Sequence, residues 1–207
     1  MLKWFFRGPF IKYNYKFFIK RVNGLENIPE KTGFIIAANH SSYLDITVLT
    51  AVFLIKKNIN IRYLAKKELF TNWLFKKLGV IFQGIPIDRE RKGKEALQQA
   101  VKALKKGDVI GMYPEGERSL TGKIQRGKTG AARLALWAKV PVIPVGIKGA
   151  FELMPKGKII PKFKKNIIVN IGKPLYFNKY YGKQNKTIFR KVTVIIMGKI
   201  AELLKQR

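Results

Sequence analysis

"GFIIAANHSSYLDITVLTAVFLI", residues 33–55, changes period twice, and those changes decide the fold class. "GFIIAA" is a short uninterrupted apolar run, which suits a strand covered on both faces. "SSYLDITVLTAVFLI" is too long and too evenly apolar for a strand and predicts a buried helix. The polar turn between them carries His40, the one histidine of the chain. A strand that passes through a polar turn into a helix is half of a βαβ unit. The same alternation recurs downstream. Strands are expected at "INIRYL", "GIPID", "DVIGMY", "VPVIPVGI" and "NIIVNIG". Helices are expected at "GKEALQQAVKALKKG", after "RGKTG", and over "TIFRKVTVIIMGKIAELLKQ". The prediction is an α/β fold, a largely parallel central sheet flanked by helices.

The 207 residues suit one sizeable core, so residues 22–207 are read as a single domain. Lys and Arg number 42 against 12 Asp and Glu, a net charge of +30, and such a field calls for a polyanion: nucleic acid or an anionic membrane surface. With no cysteine, thiol catalysis and disulfides are excluded, and with one histidine no metal site is expected. The apolar run "ITVLTAVFLI" has ten residues, about half of the roughly 20 a membrane-spanning helix needs. The basic, aromatic N-terminus is interrupted by Arg7, Lys12 and Lys16 before a signal-peptide core can form, so neither secretion nor spanning is expected.

Residues 1–21 form a segment of their own character. Pro9 suits the first turn of a second short helix following one over residues 2–7. On that second helix Lys12, Lys16 and Lys20 make a narrow stripe, and Phe10, Ile11, Tyr13, Tyr15, Phe17 and Phe18 cover most of the rest. The pattern predicts a helix lying in a membrane interface; the alternative is a helix packed on the domain with a solvated lysine stripe. On the first reading the segment supplies location, and a chain starting near Val22 should keep its fold.

Four stretches could carry chemistry. His40, at the carboxyl end of a strand, has Asp45 about one helical turn further on. Asp45 could fix one imidazole nitrogen and leave the other as a base toward a hydroxyl; equally, His40 could be a strand-end residue and Asp45 a carboxylate facing the helix dipole. In "IPIDRERKGKE", Arg89 could grip a phosphate with both guanidinium arms, or Asp88 could cap a helix beside a solvated basic run. In "YPEGERS", amides around Gly116 with the Arg118 guanidinium make a candidate anion nest, with Glu115 available to orient a cation or accept a substrate hydroxyl, and Ser119 reads as a loop hydrogen-bonding residue. No Walker-type G-x4-G-K-[ST] is present, which disfavours nucleotide hydrolysis. In "VPVIPV", Val142 and Pro144 could shape an apolar slot for an acyl chain, or the prolines could mark a strand edge or bulge.

Taken in order, "NHSSYLD", "IPIDR", "YPEGERS" and "VPVIPV" resemble the four blocks of the 1-acyl-sn-glycerol-3-phosphate acyltransferase family, over roughly residues 22–150. The resemblance implies His40 as general base and Asp45 as its orienter. It implies phosphate binding by the second and third blocks (Arg89, Glu115, Gly116, Arg118, Ser119) and an acyl side at Val142 and Pro144. It also implies lysophosphatidate as acceptor, acyl-ACP or acyl-CoA as donor, no cofactor, and residence on the cytoplasmic face of the cell membrane. Glu117 departs from the family, which commonly has threonine there. The rival readings are another lysolipid acceptor or a basic nucleic-acid-binding module, although no nucleic-acid motif appears and the charge is spread along the chain.

Overall fold

The computed structural model describes residues 2–30, 32–66, 85–87, 93–158, 160–183 and 185–206. In chain order the elements are α1 (Leu2–Phe18), β1 (Ile19–Asn23), β2 (Phe34–Ala38), α2 (Leu44–Lys57), β3 (Ile61–Lys66), β4 (Ile85–Ile87) and α3 (Gly93–Lys105). There follow β5 (Val109–Met112), α4 (Gly130–Ala138), β6 (Val142–Lys148), the single turn α5 (Ala150–Leu153), β7 (Ile167–Ile171) and α6 (Lys186–Leu204). Among the described residues the sheet has seven strands in the order β1-β7-β6-β2-β5-β3-β4. Every neighbouring pair is parallel except β6 and β7.

β2 lies at the centre, and all five of its side chains are buried, as an uninterrupted apolar run between two helical layers requires. One layer, α1, α2 and α5, packs Ile11, Phe18, Val48, Phe53 and Leu153 against the sheet. The other, α3, α4 and α6, packs Ala100, Leu104, Leu134, Val192 and Ile196. α6 buries Phe189, Val192, Ile196 and Ile200 at helical spacing and is opened by Asn185, whose side chain accepts from the Ile188 N–H at 2.9 Å.

The path of the chain opens the crevice. From β2 it crosses on the α2 face toward β3, whereas from β5, the neighbour of β2, it crosses on the α4 face to β6, on the other side of β2. Helices after adjacent strands thus leave to opposite faces. This is the switch point at which open α/β sheets take their ligands.

Three expectations change. The residues around Pro9 do not divide into two helices: α1 is one helix with Pro9 inside. The boundary at residue 21 falls within β1, which pairs with β7. Because Ile11, Asn14 and Phe18 are buried on α1 itself, its carboxyl half is part of the packed domain, and loss of residues 1–21 would uncover the α2 layer. Finally, the prolines do not mark an edge, since β6 is internal. Pro144 accepts through its carbonyl from the Gly172 N–H at 2.8 Å, one residue beyond the Val145–Ile171 pair at which the β7 ladder ends.

Candidate active site

The first and third sequence blocks meet because β2 and β5 are parallel neighbours in register, Ala37 opposite Met112. Their carboxyl ends therefore deliver His40 and "YPEGERS" to the same edge of the sheet.

Three donors hold Asp45, which is fully buried at the start of α2. One of its oxygens, Oδ2, accepts from the Ser41 and Ser42 N–H groups at 2.7 Å each and lies 2.9 Å from His40 Nδ1. A carboxylate there requires the proton on Nδ1, which leaves Nε2 as the acceptor nitrogen. The imidazole is 14% exposed and so reachable from solvent. Its flat face stacks on Tyr113, 4.1 Å between centroids and 19° between planes, so the ring cannot rotate out of line. Asp45 thus both contacts the imidazole and accepts from the N–H groups before α2.

Glu115 joins the two blocks. Oε1 accepts from the His40 N–H at 2.7 Å, and Oε2 accepts from the Gln125 N–H at 3.0 Å and from the Gln125 side-chain amide at 3.3 Å. The Ser119 N–H returns a bond to the His40 carbonyl at 2.8 Å. Burial raises the Glu115 pKa above the usual carboxylate range, and the His40 and Gln125 hydrogen bonds oppose that rise. Its oxygens are thus engaged by the main chain, and the carboxylate positions His40 instead of meeting a phosphate. Below it, burial pushes the Tyr113 hydroxyl well above the usual tyrosine range, with Tyr63 and Asp45 adding to the effect. That hydroxyl has no hydrogen-bond partner among the described residues.

Arg118 supplies the charge. Its guanidinium carbon lies 3.5 Å from the centroid of the Tyr43 ring, and its buried Nη1 has no partner among the described residues. A guanidinium held flat on an aromatic plate with an unspent donor suits a bidentate oxyanion. Gly116, at φ 80°, turns the chain beside it, and a Cβ there would come within 3.0 Å of Lys128 Nζ. Ser119 is buried, and its Oγ accepts from the Thr121 N–H at 3.3 Å. Glu117 reaches Lys156 at 3.8 Å, which draws its charge away from Arg118.

Not every expected residue joins this group. Arg89 lies outside the described residues, as does Asp88. Val142, at the start of β6 opposite Ile35, belongs to the core with α4 and α6. Pro144 packs against Gly172. The order of β6 in the sheet gives both a core role, because only its carboxyl end reaches the His40 edge. Five residues escaped the sequence reading: Asn39, Tyr43, Tyr113, Gln125 and Lys128. Tyr113 opens the recognised block "YPEGERS", but nothing local marks an aromatic as a stacking plate. The Asn39 amide both donates to and accepts from the Ile147 backbone, at 3.0 and 2.7 Å, and ties the strand end before His40 to β6.

Comparison with known proteins finds relatives over most of the chain. Residues 20–148 match the family described as Acyltransferase. A 1-acyl-sn-glycerol-3-phosphate acyltransferase of Bacillus subtilis is 34% identical over 88% of this chain and 87% of its own length. A probable enzyme of the same name from Mycoplasma pneumoniae is 32% identical over 74% of this chain and 62% of its own. The crystal structure of the 1-acyl-sn-glycerophosphate acyltransferase PlsC from Thermotoga maritima superposes with a TM-score of 0.73 at 26% identity, covering 99% of this chain and 82% of that one.

Proposed function

Since this chain belongs to the acyltransferase family, we propose that it transfers a fatty acyl group from a thioester to the free hydroxyl of 1-acyl-glycerol-3-phosphate, giving phosphatidate for phospholipid synthesis. The observation that carries the reading is the His40–Asp45 pair beside the plated Arg118. His40 Nε2 takes the proton of the acceptor hydroxyl as its oxygen attacks the thioester carbonyl carbon. The tetrahedral intermediate collapses with loss of the C–S bond, and the departing sulfur takes that proton back from His40. Asp45 stabilises the transient imidazolium from the Nδ1 side. Attack is direct, since the chain has no cysteine and the buried Ser42 hydroxyl donates to the Met154 carbonyl at 2.7 Å. Arg118, with Arg89 from the second block, holds the acceptor phosphate.

The net charge of +30 suits either anionic donor, acyl-ACP or acyl-CoA. It suits equally a site on the cytoplasmic face of an anionic membrane. Among the described residues no helix is long and apolar enough to cross a bilayer. α1 leaves Tyr13 and Phe17 exposed, along with Lys12 and Lys16, opposite its packed face, while Lys20 of the expected stripe falls on β1; this side of α1 lies in the lipid interface. The test is acyl transfer to lysophosphatidate with each donor in turn, with His40→Ala as control. Absence of turnover with both donors would refute the assignment. A Tyr13→Ser, Phe17→Ser pair that binds anionic vesicles as tightly as the parent would refute the part given to α1.

A further inference from the structure

Beyond α1, exposed apolar side chains also gather in a loop near the active site. Ile160 is 78% exposed and Phe163 67%. Both lie in the connection from α5 to β7, with Lys156, Lys158, Lys162, Lys164 and Lys165 around them. No acidic residue occurs between Glu152 and Glu202. Two bonds give this loop its shape: the Lys162 N–H donates to the Leu153 carbonyl at 2.9 Å, bringing its ends together, and the Lys158 N–H to the Pro155 carbonyl at 3.1 Å.

Its place is set on two sides. Toward α1, the Phe163 ring stacks on Phe18 with 6.1 Å between centroids. Toward the site, Lys156 meets Glu117, next to Arg118, and the Met154 carbonyl at the loop base receives the Ser42 hydroxyl, two residues from His40. Leu120, 72% exposed, follows Ser119 in the third block. Its loop reaches α5, where Gly122 abuts the Phe151 ring.

We propose that the loop bearing Ile160 and Phe163 is a second bilayer-contact element, which sets the mouth of the His40 site against an anionic lipid surface. Largely exposed isoleucine and phenylalanine beside lysines are the composition of an interfacial anchor: rings and branched chains enter the acyl boundary while ammonium groups reach phosphates. The charge decides the occupant. A loop with five lysines, no carboxylate of its own and Glu117 beside its Lys156 end repels a second copy of this chain, whose net charge is +30, and attracts anionic headgroups. The consequence for catalysis is geometric. With the loop lying between α1 and Arg118, a lysolipid reaches His40 by a short lift from the leaflet, its acyl chain still in the bilayer. This inference rests on the lipid-surface reading above but assigns it to a different element.

The absence of cysteine permits a direct test. Ile160→Cys, Phe163→Cys and, on the far layer, Val194→Cys are each labelled in the full chain with an environment-sensitive fluorophore. They are then mixed with phosphatidylglycerol–phosphatidylcholine vesicles and with vesicles of phosphatidylcholine alone. Expected are a blue shift and quenching by a bilayer-resident quencher at positions 160 and 163, no change at 194, and partition at least about tenfold weaker without the anionic lipid. A solvent-like label at 160 and 163 on vesicles that do sediment the protein would overturn the loop assignment and leave α1 as the anchor. Failure of the unlabelled chain to sediment with anionic vesicles would overturn both. An equal shift at 194 would mean non-specific adsorption and would also overturn the assignment.

Discussion

Replacing Glu115 by Gln separates two roles for one carboxylate. In the structure both oxygens accept main-chain N–H donors, His40 at 2.7 Å and Gln125 at 3.0 Å, and the residue is 3% exposed. Glutamine keeps the shape but has one acceptor oxygen, so its NH2 must face one of those donors. An orphaned buried donor costs about 1–3 kcal/mol, and the surviving bond drops from charged to neutral strength, a further loss of about 1 kcal/mol. Relief of the carboxylate's burial, the cause of its raised pKa, returns part of this. A net loss of about 2 kcal/mol should lower Tm by about 4–8 °C for a chain of this size. Because the bond to His40 positions the base, kcat should fall at least about tenfold with a smaller change in acceptor KM, since displacement of a reacting group by about 1 Å can cost 100-fold. The assay is thermal unfolding together with steady-state acyl transfer at varied lysophosphatidate. An unchanged or higher Tm with only KM altered would refute the reasoning and return Glu115 to the substrate.

Other expectations follow from the same contacts. His40→Ala should lose about 100-fold to 10,000-fold in turnover while unfolding as the parent does; near-normal acylation would end the proposed mechanism. Asp45→Asn should lose much of the same activity, and an amide that left the rate intact would show that the tautomer does not matter. Arg118→Gln and Arg89→Gln should raise acceptor KM far more than donor KM, as a charge-assisted contact of about 1.5–3 kcal/mol is lost on one substrate; a rise on the donor side would reverse the assignment. Tyr43→Ala should raise acceptor KM about twofold to fivefold through Arg118, and Tyr43→Phe should restore it, since the ring and not the hydroxyl carries the guanidinium. For Tyr113 the folded pKa is raised, so its contribution is fully present below the ordinary tyrosine value of about 10 and is lost as pH climbs above it, by about 1.4 kcal/mol per pH unit. Denaturant titrations at alkaline pH should therefore show a shallower decline for Tyr113→Phe, and identical slopes would mean that its hydroxyl ionises freely in the folded state.

Local sequence was sufficient wherever the physics is local. "GFIIAA" had to be a covered strand and "GKEALQQAVKALKKG" a helix with one apolar face, because side-chain period alone dictates which surfaces can be buried. The spacing of His40 and Asp45 lies within one strand-to-helix turn, so their meeting was legible as one of two outcomes. β1 was not legible: "IKRVN" alternates weakly and becomes a strand only because β7 offers it an edge. The same holds for α1, whose aromatics read alike from sequence; the α2 layer buried Ile11 and Phe18 and left Tyr13 and Phe17 outside. Glu115 is the clearest case. Its carboxylate binds the main chain at His40, 75 residues away, and no pattern near "YPEGERS" carries that information. Such roles belong to strand order, because only the adjacency of β2 and β5 turns two distant loops into one site.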